Sequence, residues 1–348
     1  MDPSNIPINQ KEGGFNQNES ISILCNINSK YILQKIFENM SRKKALTIIE
    51  NNKIIQERLD ISIDTYKDYF LTLTTIEIEI IPIENINGKY IYIPKKEDES
   101  YYHIYFDNNR DEIKKYELNA DDKINSIKII IDNKVKSFSR LFEECNCIKS
   151  ITFKRFNRNN INDMSNMFTE CSSLEEINFD NFNTENVYNM SGMFCLCQSL
   201  KEINLYKFNT ENVTDMSEMF SGCYSLKEID LSHLNTKNVK NMNMMFYQCR
   251  SFEILDLSNF NTNNVIDMSD MFCLCGSLKE INLRNFNTYN VKNMNCMFYL
   301  CQSLEIINCS NFSIRNVTDI KGMFSGCRNE LKTEIKSQIE NLPEEAFE

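Results

Sequence analysis

Hydrophobic and polar positions recur in the second half of the chain with a fixed period of 26 residues. Seven Met-Phe pairs mark this period, beginning at Met167, Met193, Met219, Met245, Met271, Met297 and Met323. A cysteine follows each pair, at Cys171, Cys197, Cys223, Cys249, Cys275, Cys301 and Cys327. Leu141, Phe142 and Cys145 form an eighth, less regular copy one period earlier. A strict period of this length predicts repeats that stack on one another.

Each repeat contains two predicted elements and a corner. The segment LKEINL (200–205) alternates apolar and polar residues, which predicts a short strand with its aliphatic side chains inward. The segment NVTDMSEMFSGC (212–223) carries apolar residues at helical spacing, which predicts a short helical turn. Between them, Phe208-Asn209-Thr210 predicts a corner where Asn and Thr cap backbone groups. Because one repeat cannot bury its own apolar side, the pattern predicts an α/β repeat solenoid.

Changes in composition and hydrophobic periodicity along the chain predict five segments. Residues 1–20 are polar and predicted to be disordered, and residues 21–72 carry helical periodicity. Short β-branched and aromatic runs predict a small, mainly antiparallel β unit at 73–134, which caps the solenoid at 135–327. Residues 328–348 break the period, and their charged sequence with an apolar stripe predicts a C-terminal helical cap.

Charge and hydropathy narrow the set of partners. The net charge is −11 with a pI near 5.0, which disfavours nucleic acid and anionic membrane surfaces. No run of 18 apolar residues occurs, so the sequence predicts no membrane span. The first residues have neither the basic nor the apolar region of a signal peptide, which predicts a cytoplasmic protein.

The placement of the fourteen cysteines predicts a role in packing the hydrophobic core rather than in catalysis or metal binding. A cysteine that recurs at one position of every repeat is expected to stack in the core, because free Cys behaves as a small buried hydrophobe. Equivalent side chains run parallel in a stack, which is the wrong orientation for a disulfide, so we expect reduced thiols. Only His103 and His233 occur, neither in a motif, and no phosphate loop or nucleophile motif is present. The sequence therefore predicts no catalytic, metal-binding or cofactor-binding residues and no enzyme.

The outward positions of the predicted strands form a candidate protein-binding face. This candidate face consists of Glu176, Asn178, Lys201, Glu202, Asn204, Lys227, Glu228, Asp230, Ile254, Asp256, Glu280, Asn282, Ile306 and Asn308. One interpretation is a solvated sheet surface with stacked amides. The other is an acidic, amide-rich binding face to which Ile254 and Ile306 add apolar anchors.

The repeat phrase N-V-x-x-M-x-x-M-F-x-x-C-x-x-L-x-x-I-x-L-x-x-F-N-T resembles the BspA-type leucine-rich repeat, over residues 135–327. The resemblance implies a leucine-rich-repeat-like solenoid, a protein-binding role and no enzyme activity. Many proteins of that family are surface proteins, so a surface or secreted adhesin-like protein remains an alternative, which here requires an unrecognised export route.

A second resemblance lies at residues 28–60, where SKYILQKIFENMSRKKALTIIENNKIIQERL is similar to an F-box. It implies that Leu33, Ile36 and Phe37 face a Skp-type adaptor, as in a substrate receptor of a ubiquitin ligase. The usual Leu-Pro opening is absent, and a plain helical pair is the other interpretation. The favoured hypothesis is therefore a non-enzymatic interaction scaffold for unidentified protein partners, with the ubiquitin-ligase receptor and the adhesin as alternatives.

Overall fold

The structure, a computed structural model, describes residues 23–38, 40, 42–50, 52–60, 74–107 and 109–348. The chain divides into two compact units, Met1–Leu73 and Thr74–Glu348. The predicted disorder of residues 1–20 lies outside the described residues.

The described residues of the first unit form short helices. Its helices are α1 (Lys30–Glu38), α2 (Arg42–Glu50) and α3 (Lys53–Leu59). Helix α3 begins after Asn52, whose side-chain oxygen accepts a hydrogen bond from the Ile55 N–H at 3.1 Å, and it ends at Asp60 in the left-handed conformation. Leu33, Phe37 and Ile49 lie in a small apolar core with Ile55.

The second unit begins with antiparallel strands. These are β1 (Ile76–Pro82), β2 (Gly88–Lys89), β3 (Tyr102–Phe106), β4 (Glu117–Leu118), β5 (Ile127–Ile131) and β6 (Ile148–Phe156). A 3₁₀ helix at Lys96–Tyr101 precedes β3, and β2 pairs with β4. With β7 (Glu176–Asn178), the other strands form one sheet in the order β3-β5-β1-β6-β7. Only β6 and β7 pair in parallel, so β6 joins the antiparallel sheet to the first repeats.

Repeats stack in register along two backbone columns. In the strand column, β8 (Ile254–Asp256), β9 (Glu280–Asn282) and β10 (Ile306–Asn308) pair in parallel, each residue with its equivalent in the neighbouring unit. In the second column, single parallel bridges join Ser137, Asp163, Asn189, Asp215, Asn241, Asp267, Asn293 and Asp319 in succession. The second column is continuous, whereas the strand column is interrupted between β7 and β8.

The predicted helical turn of each repeat is wrong. In its place stand two consecutive tight turns, such as Met216–Met219 and Phe220–Cys223, closed by backbone hydrogen bonds of 3.3 and 3.1 Å. The third residues of these turns, Glu218 and Gly222, have φ of 56° and 68°, as in type II turns. Such turns place their first and fourth residues on one side, so an apolar spacing of three and four residues fits them as well as a helix.

Hydrogen bonds explain why this segment forms two turns rather than a helix. Alternate N–H groups of this segment donate to the next unit instead of to their own turn: Met216 to Asn241 O, Glu218 to Asn243 O, Phe220 to Met245 O and Gly222 to Tyr247 O, at 2.7–3.1 Å. Stacking therefore gives these backbone N–H and C=O groups hydrogen-bond partners, which they would lack in an isolated repeat.

Two side-chain ladders fill the core beside these turns. The rings of Phe142, Phe168, Phe194, Phe220, Phe246, Phe272, Phe298 and Phe324 stack with centroids 5.1–5.8 Å apart. The seven ladder cysteines are buried and free, and each S–H donates to a Phe carbonyl of the preceding unit at 2.9–3.2 Å. Burial raises the pKa of these thiols, to about 12 at Cys275. The predicted stacking of these cysteines in the core is confirmed.

A buried threonine joins each of five corners to the next unit by hydrogen bonds. The Thr236 hydroxyl donates to Asn261 O at 3.0 Å and accepts from the Asn261 N–H at 2.7 Å. Thr184, Thr210, Thr262 and Thr288 repeat this pair of contacts. Ile314 takes the equivalent position in the last repeat.

The C-terminal residues cover the last repeat. Helix α4 (Asn329–Gln338) buries Leu331 and Ile335, and a 3₁₀ helix follows at Glu344–Phe347. The Phe347 ring stacks on Phe324 at 5.8 Å, and Ala346 O accepts the Phe324 N–H at 2.7 Å. The tail thus continues both the ring ladder and the backbone ladder by one step.

Candidate protein-binding face

The candidate face lies along the outer side of the strand column. Its side chains are exposed except for those of Asn178 and Asn308, which are half-buried. Ile254 and Ile306 are 66% and 53% exposed, which is a high fraction for aliphatic side chains.

Six of the fourteen candidate-face residues have a structural role that sequence reasoning missed. The side-chain oxygen of each Asn or Asp in the row Asn178, Asn204, Asp230, Asp256, Asn282 and Asn308 accepts the backbone N–H two residues later, at 2.8–3.4 Å. These bonds close the turn after each strand segment. The recurrence of Asn or Asp at a strand end was the available signal. Hydrogen bonds from Ser232 lower the pKa of Asp230, and those from Ser258 lower the pKa of Asp256.

The glutamates of the candidate face have no such role. The side chains of Glu176, Glu202, Glu228 and Glu280 make no hydrogen bond or ion pair with any residue that the structure describes. Their carboxylates are therefore available to a partner.

The strand column contains open and closed junctions between neighbouring repeats. The closed junctions are β6–β7, β8–β9 and β9–β10, which are joined by ladder hydrogen bonds. The open junctions are the three between β7 and β8, which involve the segments 201–204 and 227–230. Within the described part of the chain, the backbone of these two segments makes no backbone hydrogen bond to a neighbouring unit.

Charge distinguishes the open junctions. Each carries two carboxylates at equivalent positions of neighbouring units: Glu176 and Glu202, Glu202 and Glu228, and Asp230 and Asp256. Like charges opposite one another on adjacent strands are destabilising. Repulsion therefore disfavours ladder hydrogen bonding at all three open junctions.

The closed junctions lack such pairs. Their outward pairs are Ser150/Glu176, Thr152/Asn178, Ile254/Glu280, Asp256/Asn282, Glu280/Ile306 and Asn282/Asn308. A salt bridge of 2.7 Å between Lys279 and Glu253 also spans the β8–β9 junction. Ile254 and Ile306 occupy the position that a glutamate takes in the other repeats, and the strands that contain them are paired with their neighbour.

A groove of about 660 Å³ lies at the open junctions. It is lined by Glu176, Ile177, Asn178, Asp180, Glu202, Ile203, Asn204, Glu228, Ile229 and Asp230. Six of the candidate-face residues thus line one groove, whereas Lys201, Lys227 and the candidate residues from Ile254 onward do not. The groove has an apolar floor of isoleucine and an acidic rim.

The residues predicted to face an adaptor lie in the helical unit. Leu33 and Phe37 are buried in its core, with 0% and 3% exposure, and Ile36 is half-buried. Tyr31 and Ile32 on the same helix are exposed, at 67% and 51%. The adaptor-binding role of this segment stays a prediction.

Among the described residues, no group of three or more His, Cys, Asp or Glu side chains is arranged to hold a metal ion. None of the helices in the described ranges has the length and hydropathy needed to cross a membrane.

Stacked 26-residue units with one exposed strand column define a repeat protein. The family described as "Mycoplasma protein of unknown function, DUF285" matches residues 136–254 and 225–337, together more than half of the chain, and the chain belongs to this family. The match covers the repeats on which the BspA-type leucine-rich-repeat resemblance rests. A crystal structure of the T. pallidum leucine-rich repeat protein (TpLRR) is similar over 59% of this chain and 77% of that chain, with 18% identity and a TM-score of 0.31. No curated protein matches the chain.

Proposed function

We propose that this protein is a non-enzymatic scaffold that binds protein partners on the candidate face of a leucine-rich-repeat-like solenoid. The observation that carries the proposal is the row of unpartnered glutamates in line with exposed Ile254 and Ile306. Protein interfaces combine apolar anchors with a polar rim, and stacked repeats present both on one long surface.

Protein capture on the full-length chain tests this proposal. The variant Ile254→Ser/Ile306→Ser removes the exposed apolar side chains of the candidate face. Ile266→Ser is the matched control, because Ile266 is 48% exposed at a repeat position outside that face. We expect the double variant to lose specific partners by quantitative mass spectrometry, while the control retains them. Equal capture by all three proteins contradicts the proposal.

A second candidate function is that of a ubiquitin-ligase substrate receptor. It is favoured by the exposed apolar side chains of Tyr31, Ile32 and Ile54 on the helical unit. The test is complex formation between the full chain and a Skp-type adaptor by size-exclusion chromatography. Ile32→Asp should abolish a genuine complex, whereas Gln34→Asp, at an exposed position of the same helix, should preserve it. Absence of a complex with the unmodified chain removes this candidate and leaves the scaffold proposal intact.

We further propose a cytoplasmic location, with surface display as the alternative. Cell fractionation combined with protease treatment of intact cells distinguishes the two. Protection of the protein supports the first, and digestion supports an adhesin-like role.

A further inference from the structure

The open junctions bring an acidic rim and an unpaired backbone together in one groove. We propose that this groove binds a cationic peptide segment in an extended conformation, with Lys or Arg side chains against Glu202 and Glu228. The inference rests on the proposed function of the candidate face and names the class of partner for its acidic half.

The charge of the groove selects a cation. Five carboxylates line it, those of Glu176, Asp180, Glu202, Glu228 and Asp230, and no Lys or Arg does. Asp180 and Asp230 accept hydrogen bonds within the chain, whereas the three glutamates have no described partner. A cationic side chain between neighbouring glutamates would relieve the repulsion that disfavours pairing at these junctions. Polyanions, including nucleic acid, would be repelled.

The spacing of the carboxylates favours a peptide over a metal ion. The described carboxylates do not converge into a group able to hold one ion. Instead they repeat from unit to unit, at equivalent positions of successive repeats. Alternate side chains of an extended peptide lie about 7 Å apart on one side, so a chain with several Lys or Arg residues meets several glutamates at once.

Unpaired main-chain groups supply the second contact. Segments 201–204 and 227–230 leave their N–H and C=O groups without partners in neighbouring repeats, in the part of the molecule that the structure describes. Extended peptides bind open sheets through such groups, and side-chain contacts then provide the specificity. The volume of about 660 Å³ lies in the usual range for ligand sites.

Fluorescence anisotropy with the full-length chain tests the proposal. The probe is a fluorescein-labelled ten-residue peptide of alternating Lys and Ser, at low ionic strength. We expect saturable binding that weakens as salt increases. Glu202→Gln/Glu228→Gln should weaken binding about tenfold, on the scale of two exposed charge pairs. Glu97→Gln/Glu340→Gln removes the same charge from exposed positions outside the groove and should leave binding unchanged.

A backbone-methylated version of the probe separates strand-like binding from simple charge attraction. It keeps the lysines but loses N–H donors, so we expect it to bind at least tenfold more weakly. Equal affinity of both probes overturns the extended, hydrogen-bonded mode. Equal affinity for both glutamine variants, or no binding by the unmodified chain, overturns the groove as the site. If the peptide fails while partner capture still depends on Ile254 and Ile306, the scaffold function stands and only this inference falls.

Discussion

The threonine that joins each corner to the next repeat gives a sharp test of how the stack is stabilised. Thr236→Val keeps the shape of the side chain but removes its hydroxyl. Thr236 is 1% exposed, and its hydroxyl makes both hydrogen bonds to Asn261, at 3.0 and 2.7 Å. The variant therefore leaves a backbone N–H and a backbone C=O without their partners at one junction.

The expected cost follows from these contacts. A buried donor or acceptor that loses its partner costs about 1–3 kcal/mol, and the added methyl group offsets part of this by burial. We expect Thr236→Val to lower the free energy of unfolding by about 2–4 kcal/mol. Thr318→Val is the matched control: Thr318 is exposed and donates one hydrogen bond, to Lys292 O at 3.0 Å, which water can replace. That change should cost less than about 1 kcal/mol.

Equilibrium urea unfolding followed by circular dichroism measures both values, since the chain contains no Trp for fluorescence. The midpoint should shift while the dependence of the free energy on urea stays constant, as expected for a change in stability alone. If Thr236→Val costs no more than Thr318→Val, the threonine contacts do not stabilise the junctions and the reasoning is wrong.

Three further predictions follow from the thiols, the turns and the open junctions. The pKa of Cys275 is raised to about 12, so this thiol contributes stability that is fully present below the ordinary thiol pKa of 9.0 and is lost as the pH rises toward 12. Cys275→Ala should therefore reduce the alkaline slope of the unfolding free energy by up to about 1.4 kcal/mol per pH unit, and an unchanged slope contradicts burial of this thiol. Gly222→Ala should destabilise by more than about 1 kcal/mol in thermal melts, because φ is +68° and the new Cβ would lie 2.5 Å from a leucine of the preceding unit, whereas Gly276→Ala, with no atom within 4 Å, should be nearly neutral. Glu202→Gln removes the repulsion at two open junctions, so hydrogen exchange of the Ile203 amide should slow several-fold; unchanged exchange means that charge does not hold these junctions open.

Several features of this protein were predictable from the sequence. The period, the Phe and Cys ladders and the outward row of glutamates follow from local alternation and from the need of each repeat to bury its apolar side. The turn-closing role of Asn204 and its equivalents was not predicted, although an Asn or Asp at a strand end is a local signal for it.

The prediction of a helical turn in each repeat was wrong for a physical reason. Apolar residues three and four positions apart suit both a helix and two consecutive turns, and the left-handed residues of those turns include Asn166, Glu170 and Glu218 as well as glycines. Non-glycine side chains give little local indication of a positive φ. Hydrogen bonds to the next repeat decide the conformation, and those exist only in the stack.

The strand column shows most directly what only the tertiary structure decided. The hexapeptide LKEINL occurs twice, at 200–205 and at 278–283. The second copy contains β9 and pairs on both sides, whereas the first copy is unpaired within the described chain. Identical local sequence thus has two outcomes, because Glu202 lies between two glutamates and Glu280 lies between Ile254 and Ile306. The sequence determined the repeat and its core, while the charges that stacking brings together disfavour strand pairing in the part of the column where the sheet is open.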